Sequence, residues 1–212
     1  MKAYPRIKIT DEQIEYANSL VEYSLSNHTV KDIYHNDIGM TEQKKRTYRL
    51  TGTLGEVVFA DAYNLPRPKR SFGAVDGQDN GVDFRMDISG KEYVFDIKTM
   101  ARDRTMKLYE HYVHNIPYYQ TKKQNVQTTH YFCITLTGEN SYASLVGMFE
   151  YDKLSELGEI YDENTIRAND GGKAIIPNRK NIEVPYSKLS GVPKKQICTD
   201  YIVDYLYEYN KN

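Results

Sequence analysis

The sequence predicts an α/β fold, and three observations carry that expectation. Apolar residues recur at three- and four-residue spacing over 10–28 and again over 53–63, which marks two helices with one buried stripe each. Apolar and polar residues alternate over 81–99, the period of strands with one buried face. Two further runs, His130 to Thr137 and Tyr142 to Phe149, read as strands of a buried sheet.

At 212 residues the chain can form one substantial domain. Its formal charge is −1, so contact with nucleic acid would rest on local basic patches rather than a global positive field. Cys133 and Cys198 are too few for a disulfide framework and read as buried thiols. No apolar run approaches the roughly 18 residues that span a bilayer. No hydrophobic segment follows the first six residues in the manner of a signal peptide. A cytoplasmic or intracellular setting with no membrane partner is therefore expected. Twenty tyrosines against six phenylalanines and no tryptophan suit core edges, interfaces or base-stacking surfaces.

In chain order, Thr10 caps the first helix, with Gln13 at the third helical position of a capping box. Ile14, Ala17, Val21 and Leu25 form its stripe, and His28 at its end reads as structural or solvent-facing. Lys44, Lys45, Arg46 and Arg49 form a basic cluster, either a solvated helix face or a phosphate-contacting surface. Leu54, Val57, Val58 and Ala62 build the packing side of the second helix. Gly52 and Gly55 are poor helix formers there and point to close approach of another element. Residues 65–80 read as a loop with basic Arg67, Lys69 and Arg70 and acidic Asp76 and Asp79. Residues 106–114 read as a strand or an irregular crossing, and a helix or turn is expected near Gln120. Further on, 138–140 reads as a turn, 151–157 as a short helix and 174–176 as a brief strand. Residues 182–189 are expected to pack around an edge, and 196–209 to form a closing helix with Ile202, Leu206 and Tyr209 on one side.

The chemistry gathers at 81–99. With Ser89 and Gly90 as the central residues of a tight turn, Ile88 pairs with Lys91. That register sets Asp83 opposite Asp96, with Cβ atoms about 5 Å apart. Lys98 lies two residues further along the same face, and a one-residue slip would turn Asp83 away. The same register sets Asp87 against Glu92, an unfavourable like-charge pair. Two carboxylates and the backbone carbonyl of Ile97 suit a hard divalent cation, Mg2+ or Mn2+. Glu56, at the edge of the second helix's stripe, is a candidate to orient that ion or a second one. Lys98 suits charge stabilisation on a phosphoryl group. The carboxylates around it would raise its pKa, which disfavours proton abstraction.

Gly52-Thr53-Leu54-Gly55-Glu56, Gly81-Val82-Asp83 and Asp96-Ile97-Lys98, with their adjacent strands, resemble the PD-(D/E)xK nuclease superfamily, also called restriction-endonuclease-like. The resemblance implies a restriction-endonuclease-like core, a mixed central sheet flanked by helices. It covers 50–137 as the catalytic core of a single domain over 1–212, with 150–212 as a mixed C-terminal extension. It implies Glu56, Asp83, Asp96 and Lys98 as catalytic residues, with Gln120 or Gln124 as supporting polar groups. Val82 stands where the family name has proline. The implied activity is Mg2+- or Mn2+-dependent endonucleolytic cleavage of DNA, less often RNA, by a homodimer or with a partner subunit. Lys69, Arg70, Arg102, Arg104, Lys107, Lys122 and Lys123 are the expected nucleic-acid contacts. The alternatives are a nucleic-acid-binding or assembly protein of the same fold without efficient catalysis, or a purely structural charge network.

Overall fold

A computed structural model describes residues 3–27, 41–69, 82–102, 107–122, 126–162, 167–168, 174–175, 180–198 and 202–207. The chain opens with strand β1 (Ala3–Lys8), then helices α1 (Asp11–Asn27) and α2 (Glu42–Ala62). Strands β2 (Phe84–Ile88), β3 (Lys91–Arg102) and β4 (Val113–Pro117) follow, and a 3-10 turn at Tyr118–Lys122 leads to β5 (His130–Thr137) and β6 (Tyr142–Glu150). The remainder comprises α3 (Leu154–Leu157), β7 (Glu159–Tyr161), β8 (Arg167–Ala168), β9 (Ala174–Ile175), β10 (Asn181–Pro185) and β11 (Ile202–Tyr207).

The capping box at the start of α1 is reciprocal. The Thr10 amide donates to Gln13 Oε1 at 3.0 Å, and the Gln13 amide donates to Thr10 Oγ1 at 3.2 Å. Helix α2 begins at Glu42, capped by Thr41, rather than at Thr53. Its first half has no apolar stripe and stands in solvent, so hydrophobic periodicity marks only the second half. The basic cluster of Lys44, Lys45, Arg46 and Arg49 rides on that first half, where Lys45 pairs with Glu42 at 2.8 Å and Arg46 with Glu22 of α1. Arg67, read as part of a basic loop, instead ties the helices together: it bonds Asp61 at 2.7 Å and also pairs with Glu12. His28, Arg70, Asp76, Asp79, Arg104, Lys123 and Gln124 lie outside the described residues.

The main sheet has six strands in the order β11-β1-β6-β5-β3-β2. Strands β3 and β5 are parallel, and the other neighbours are antiparallel, so the sheet is mixed. A three-stranded sheet, β4-β10-β7, stands apart from it. Two sequence expectations are corrected here. The closing helix is strand β11 on β1, and 182–189 contributes β10 to the middle of the small sheet. Ile202 and Leu206 are four apart, a spacing that keeps residues on one side in a helix and in a strand alike. The unpaired edge of β1 settles the choice. β1 itself is short and carries Pro5, which obscures it as a strand.

Each face of the main sheet is buried. Helices α1 and α2 cover one, with Leu54, Val57, Val58 and Phe59 packed on Phe84, Phe95, Ile97, Phe132 and Ile134. The other carries Tyr131, Cys133, Val146 and Phe149 and is covered by Leu108, Ile116, Ile182, Val184 and Tyr186. Gly55 is where α2 meets β3: a Cβ there would lie 1.9 Å from Thr99 Oγ1, whereas Gly52 has open space. Close approach therefore holds for one of the two glycines. Gly55→Ala should destabilise the protein by about 1–3 kcal/mol through overpacking, despite alanine's better helix propensity. Gly52→Ala should stabilise it by up to about 1 kcal/mol. Urea unfolding of the two variants checks both signs, and a Gly55→Ala protein at least as stable as the parent would refute the contact.

His114, fully buried on β4, meets Thr135 Oγ1 at 3.2 Å, and Thr135 meets the Tyr186 hydroxyl at 2.5 Å. Burial, and secondarily the Arg102 charge, lower the His114 pKa from its usual 6.5 to about 3. A depressed histidine pKa means that only the unfolded chain takes up the proton between these values. Its contribution to stability is complete above pH 6.5 and is lost as pH falls toward 3. Against a His114→Leu variant, the parent should lose an extra ~1.4 kcal/mol per pH unit across that window. Parallel denaturant titrations at several pH values would show equal slopes if the imidazole were already charged in the fold.

Candidate active site

The hairpin from Phe84 to Arg102 has the expected register. Ser89 (φ 57°) and Gly90 (φ 83°) are both left-handed, the requirement of the type I′ turn that matches strand twist. Ile88 pairs with Lys91, and Asp87 stands opposite Glu92. The like-charge clash is relieved locally. Asp87 Oδ1 accepts from the Gly90 amide at 2.9 Å, and Glu92 turns to Arg85 Nη1 at 3.1 Å.

The ladder ends at Phe84, so Asp83 sits just outside it rather than as a paired partner of Asp96. Its amide donates to the Phe95 carbonyl at 3.0 Å, and its Oδ2 accepts from the Ile97 amide at 2.6 Å. In a strand, the N–H and C=O of one residue leave on the same edge. The Ile97 carbonyl therefore also faces the edge that Asp83 occupies. Asp96 and Lys98 alternate with the core residues Phe95 and Ile97 and stand on the opposite face of β3. Lys98 Nζ bonds Asp96 Oδ1 at 2.6 Å, with both side chains largely buried. Burial pulls the Lys98 pKa down. The Asp96 charge and hydrogen bond, then the charges of Asp83 and Tyr119, outweigh it and hold the pKa above the ordinary lysine value. Lys98 is thus a fixed cation, as its setting among carboxylates predicts.

Strand β5 supplies the site's wall. Asp96 lies beside Tyr131 and Lys98 beside Cys133 in the parallel register. Lys98 Nζ is 5.4 Å from the Tyr131 ring centroid, a cation–π contact inside the protein. Tyr131 stacks on Tyr151 at 5.3 Å, and the Tyr151 hydroxyl donates to the Gln120 carbonyl at 2.5 Å. Gln120 is buried in the 3-10 turn, and its Nε2 donates to the Tyr119 hydroxyl at 3.3 Å. Gln120 Oε1 is buried without a hydrogen-bond partner among the described residues. Burial pushes the Cys133 thiol pKa up, so it is an inert wall residue. Tyr119, Tyr131 and Tyr151 are site residues that the sequence alone did not single out. The excess of tyrosine was visible, but its placement depends on a parallel pairing that no turn announces.

Comparison with protein-family models, with curated proteins and with solved structures finds no match to this chain.

Glu56 is half-buried on α2, the helix that covers the Phe95 face of the sheet. Among the described residues, no three His, Cys, Asp or Glu side chains gather to hold a metal ion. The donors at hand are Asp83, Asp96 and the Ile97 carbonyl. An all-oxygen set with one or two carboxylates fits Mg2+, which keeps several of its waters. The buried, unpartnered Gln120 Oε1 fits a neighbourhood that takes up water or another donor. Of the expected basic contacts, Lys69, Lys107 and Lys122 are exposed. Lys69 follows Pro68, whose carbonyl accepts from Tyr16 of α1, on the helical side of the molecule. Arg102 is turned inward: its guanidinium lies 4.1 Å over Tyr112, and Nη2 donates to the Val113 carbonyl at 3.0 Å. A planar, weakly hydrated cation is well suited to that aromatic seat.

Removing the Asp96 charge should let burial win at Lys98. In Asp96→Asn the Lys98 amine should titrate at lower pH than in the parent, read by lysine side-chain NMR. An unchanged or higher titration point would mean that Asp96 does not hold the charge.

Proposed function

We propose that the chain is a metal-dependent nuclease with a restriction-endonuclease-like core, hydrolysing phosphodiester bonds in DNA before RNA. The observation that carries this reading is the hairpin register. It joins Asp83 to the Ile97 amide and sets the Asp96–Lys98 pair one step away, so two carboxylates, a carbonyl and a fixed cation gather at the middle of β3. The mixed sheet with two helices over one face supports the fold half of the reading.

Asp83, Asp96 and the Ile97 carbonyl would hold Mg2+ or Mn2+, which would supply Lewis-acid stabilisation of a phosphoryl group. The chain's own contribution is order. Asp83 fixes the strand edge through the Ile97 amide, so donor positions do not wait on substrate. Lys98, charged and oriented by Asp96, meets negative charge growing on phosphoryl oxygens in a site shielded from water. The Tyr131 ring closes one side of that lysine and keeps its charge strong.

A second reading has an observation of its own. Lys98 is already bonded to Asp96, and among the described residues no group of three His, Cys, Asp or Glu side chains forms a metal cluster. A nucleic-acid-binding or assembly protein would look the same. Incubation with single-stranded, duplex and branched DNA and with RNA, with and without Mg2+ or Mn2+, separates the two. Metal-dependent cleavage is expected, reduced roughly 100-fold or more in Asp96→Asn and in Lys98→Met. Each single change leaves the other buried charge of the pair without its partner, so the Asp96→Asn, Lys98→Met double variant, which removes both charges, and circular dichroism of all three separate lost cleavage from lost folding. A parent protein that cuts nothing, or variants that cut as well as it does, would defeat the nuclease reading.

A further inference from the structure

The 3-10 turn at Tyr118–Lys122 has a second side. Inward, it holds Gln120 against Tyr151 and, through Tyr131, against Lys98. Outward, it presents Tyr119, one of few large hydrophobic side chains left in solvent, at 40% exposure. Beside it, Lys122 Nζ lies 5.4 Å and Lys180 Nζ 4.3 Å from the Tyr118 ring centroid. Both lysines are exposed, and neither is paired with a carboxylate among the described residues. The Tyr118 amide donates to the Lys180 carbonyl at 3.1 Å, so the two lysines are held on one frame.

We propose that this turn is the entry ledge for single-stranded nucleic acid: Lys122 and Lys180 hold phosphates, and Tyr119 stacks on an unpaired base next to the Asp96–Lys98 site. The substrate class rests on the nuclease reading. The strand preference comes from the ledge itself. An exposed ring offers a π face only to a base that has left its stack, whatever that base is. Paired bases in a duplex offer no such face. Two lysines near an aromatic also suit a flexible backbone that can fold around them. Tyr119 reaches toward the site as well, since its hydroxyl accepts from Gln120, whose carbonyl accepts from the Tyr151 that stacks on Tyr131. A base held there leaves its own phosphate close to the fixed cation.

The test is binding without cleavage, so that it stands apart from the nuclease question. Fluorescence anisotropy with a labelled oligothymidine, its RNA counterpart and a duplex of equal length is read in EDTA over a range of salt concentrations. The parent should bind the single strands more tightly than the duplex. Tyr119→Ala should weaken single-strand binding by about five- to 100-fold. The Lys122→Ala, Lys180→Ala double variant should reduce the slope of log affinity against log salt by about 1.4. Lys45→Ala, on α2, should change neither. Binding unchanged in Tyr119→Ala, an unchanged salt slope in the lysine variant, or tighter binding of duplex would overturn the ledge. If these effects appear and no substrate is cut with metal, the ledge stands and the nuclease reading falls. Cleavage that persists with full single-strand affinity in Tyr119→Ala sinks the ledge alone.

Discussion

Strand β3 is buried on both faces, and its register decides what each face contains. Phe95 and Ile97 point into the helical core, while Asp96 and Lys98 point into the other layer. A slip of one residue would exchange them and place a carboxylate and an ammonium under α2, against Phe59. Isolated charges do not survive in such a place. Two local devices hold the register. The Ser89–Gly90 turn fixes which residues of β2 and β3 face each other, and Gly55 fixes where α2 rests on Thr99. The site inherits its geometry from a turn and a missing Cβ.

The Asp96–Lys98 pair is not explained by stability. Taking two charges largely out of water costs several kcal/mol per ion, and their attraction regains this only with good geometry and further hydrogen bonds. Apolar residues of similar volume would serve the fold as well or better. The neighbourhood makes the same point. Gln120, in the turn whose carbonyl holds the Tyr151 hydroxyl, carries a buried side-chain oxygen with no hydrogen-bond partner among the described residues. A site that receives water or a cation gives that oxygen a partner.

What was legible in the sequence was what covalent geometry or a local rule determines. A two-residue turn dictates hairpin register, and a capping box marks a helix start, so Ile88–Lys91 and Thr10–Gln13 could be placed in advance. The first half of α2 was hidden because it packs on little, and β11 because the spacing of Ile202 and Leu206 fits either period. Glu56 could be put on a helix edge but not on a face of the sheet, since which face α2 covers is decided by tertiary packing. Arg102 read as surface charge because no sequence rule announces an aromatic seat. Tyr131 joins the site through a parallel pairing of β3 with β5, and such pairings span long connections whose length does not set register.

The two faces of the sheet differ in their aromatic residues. On the helical side the rings are mostly phenylalanines, Phe59, Phe84, Phe95 and Phe132, packed among aliphatic residues. On the other side Tyr4, Tyr131 and Tyr186 are buried, with Tyr112, Tyr118 and Tyr151 packed against them. That layer also contains Asp96, Lys98, Thr135, His114 and the inward Arg102. A ring there must fill volume and also meet polar groups, which a phenol does with one side chain. Tyr186 takes up the Thr135 hydroxyl, and Tyr151 the Gln120 carbonyl. Phenylalanine at 151 would take the hydroxyl from the Gln120 carbonyl, at about 1–3 kcal/mol, and at 186 would leave Thr135 with His114 alone. The tyrosines thus allow a charged site to sit inside a packed layer, and Tyr119 extends the same chemistry to the surface.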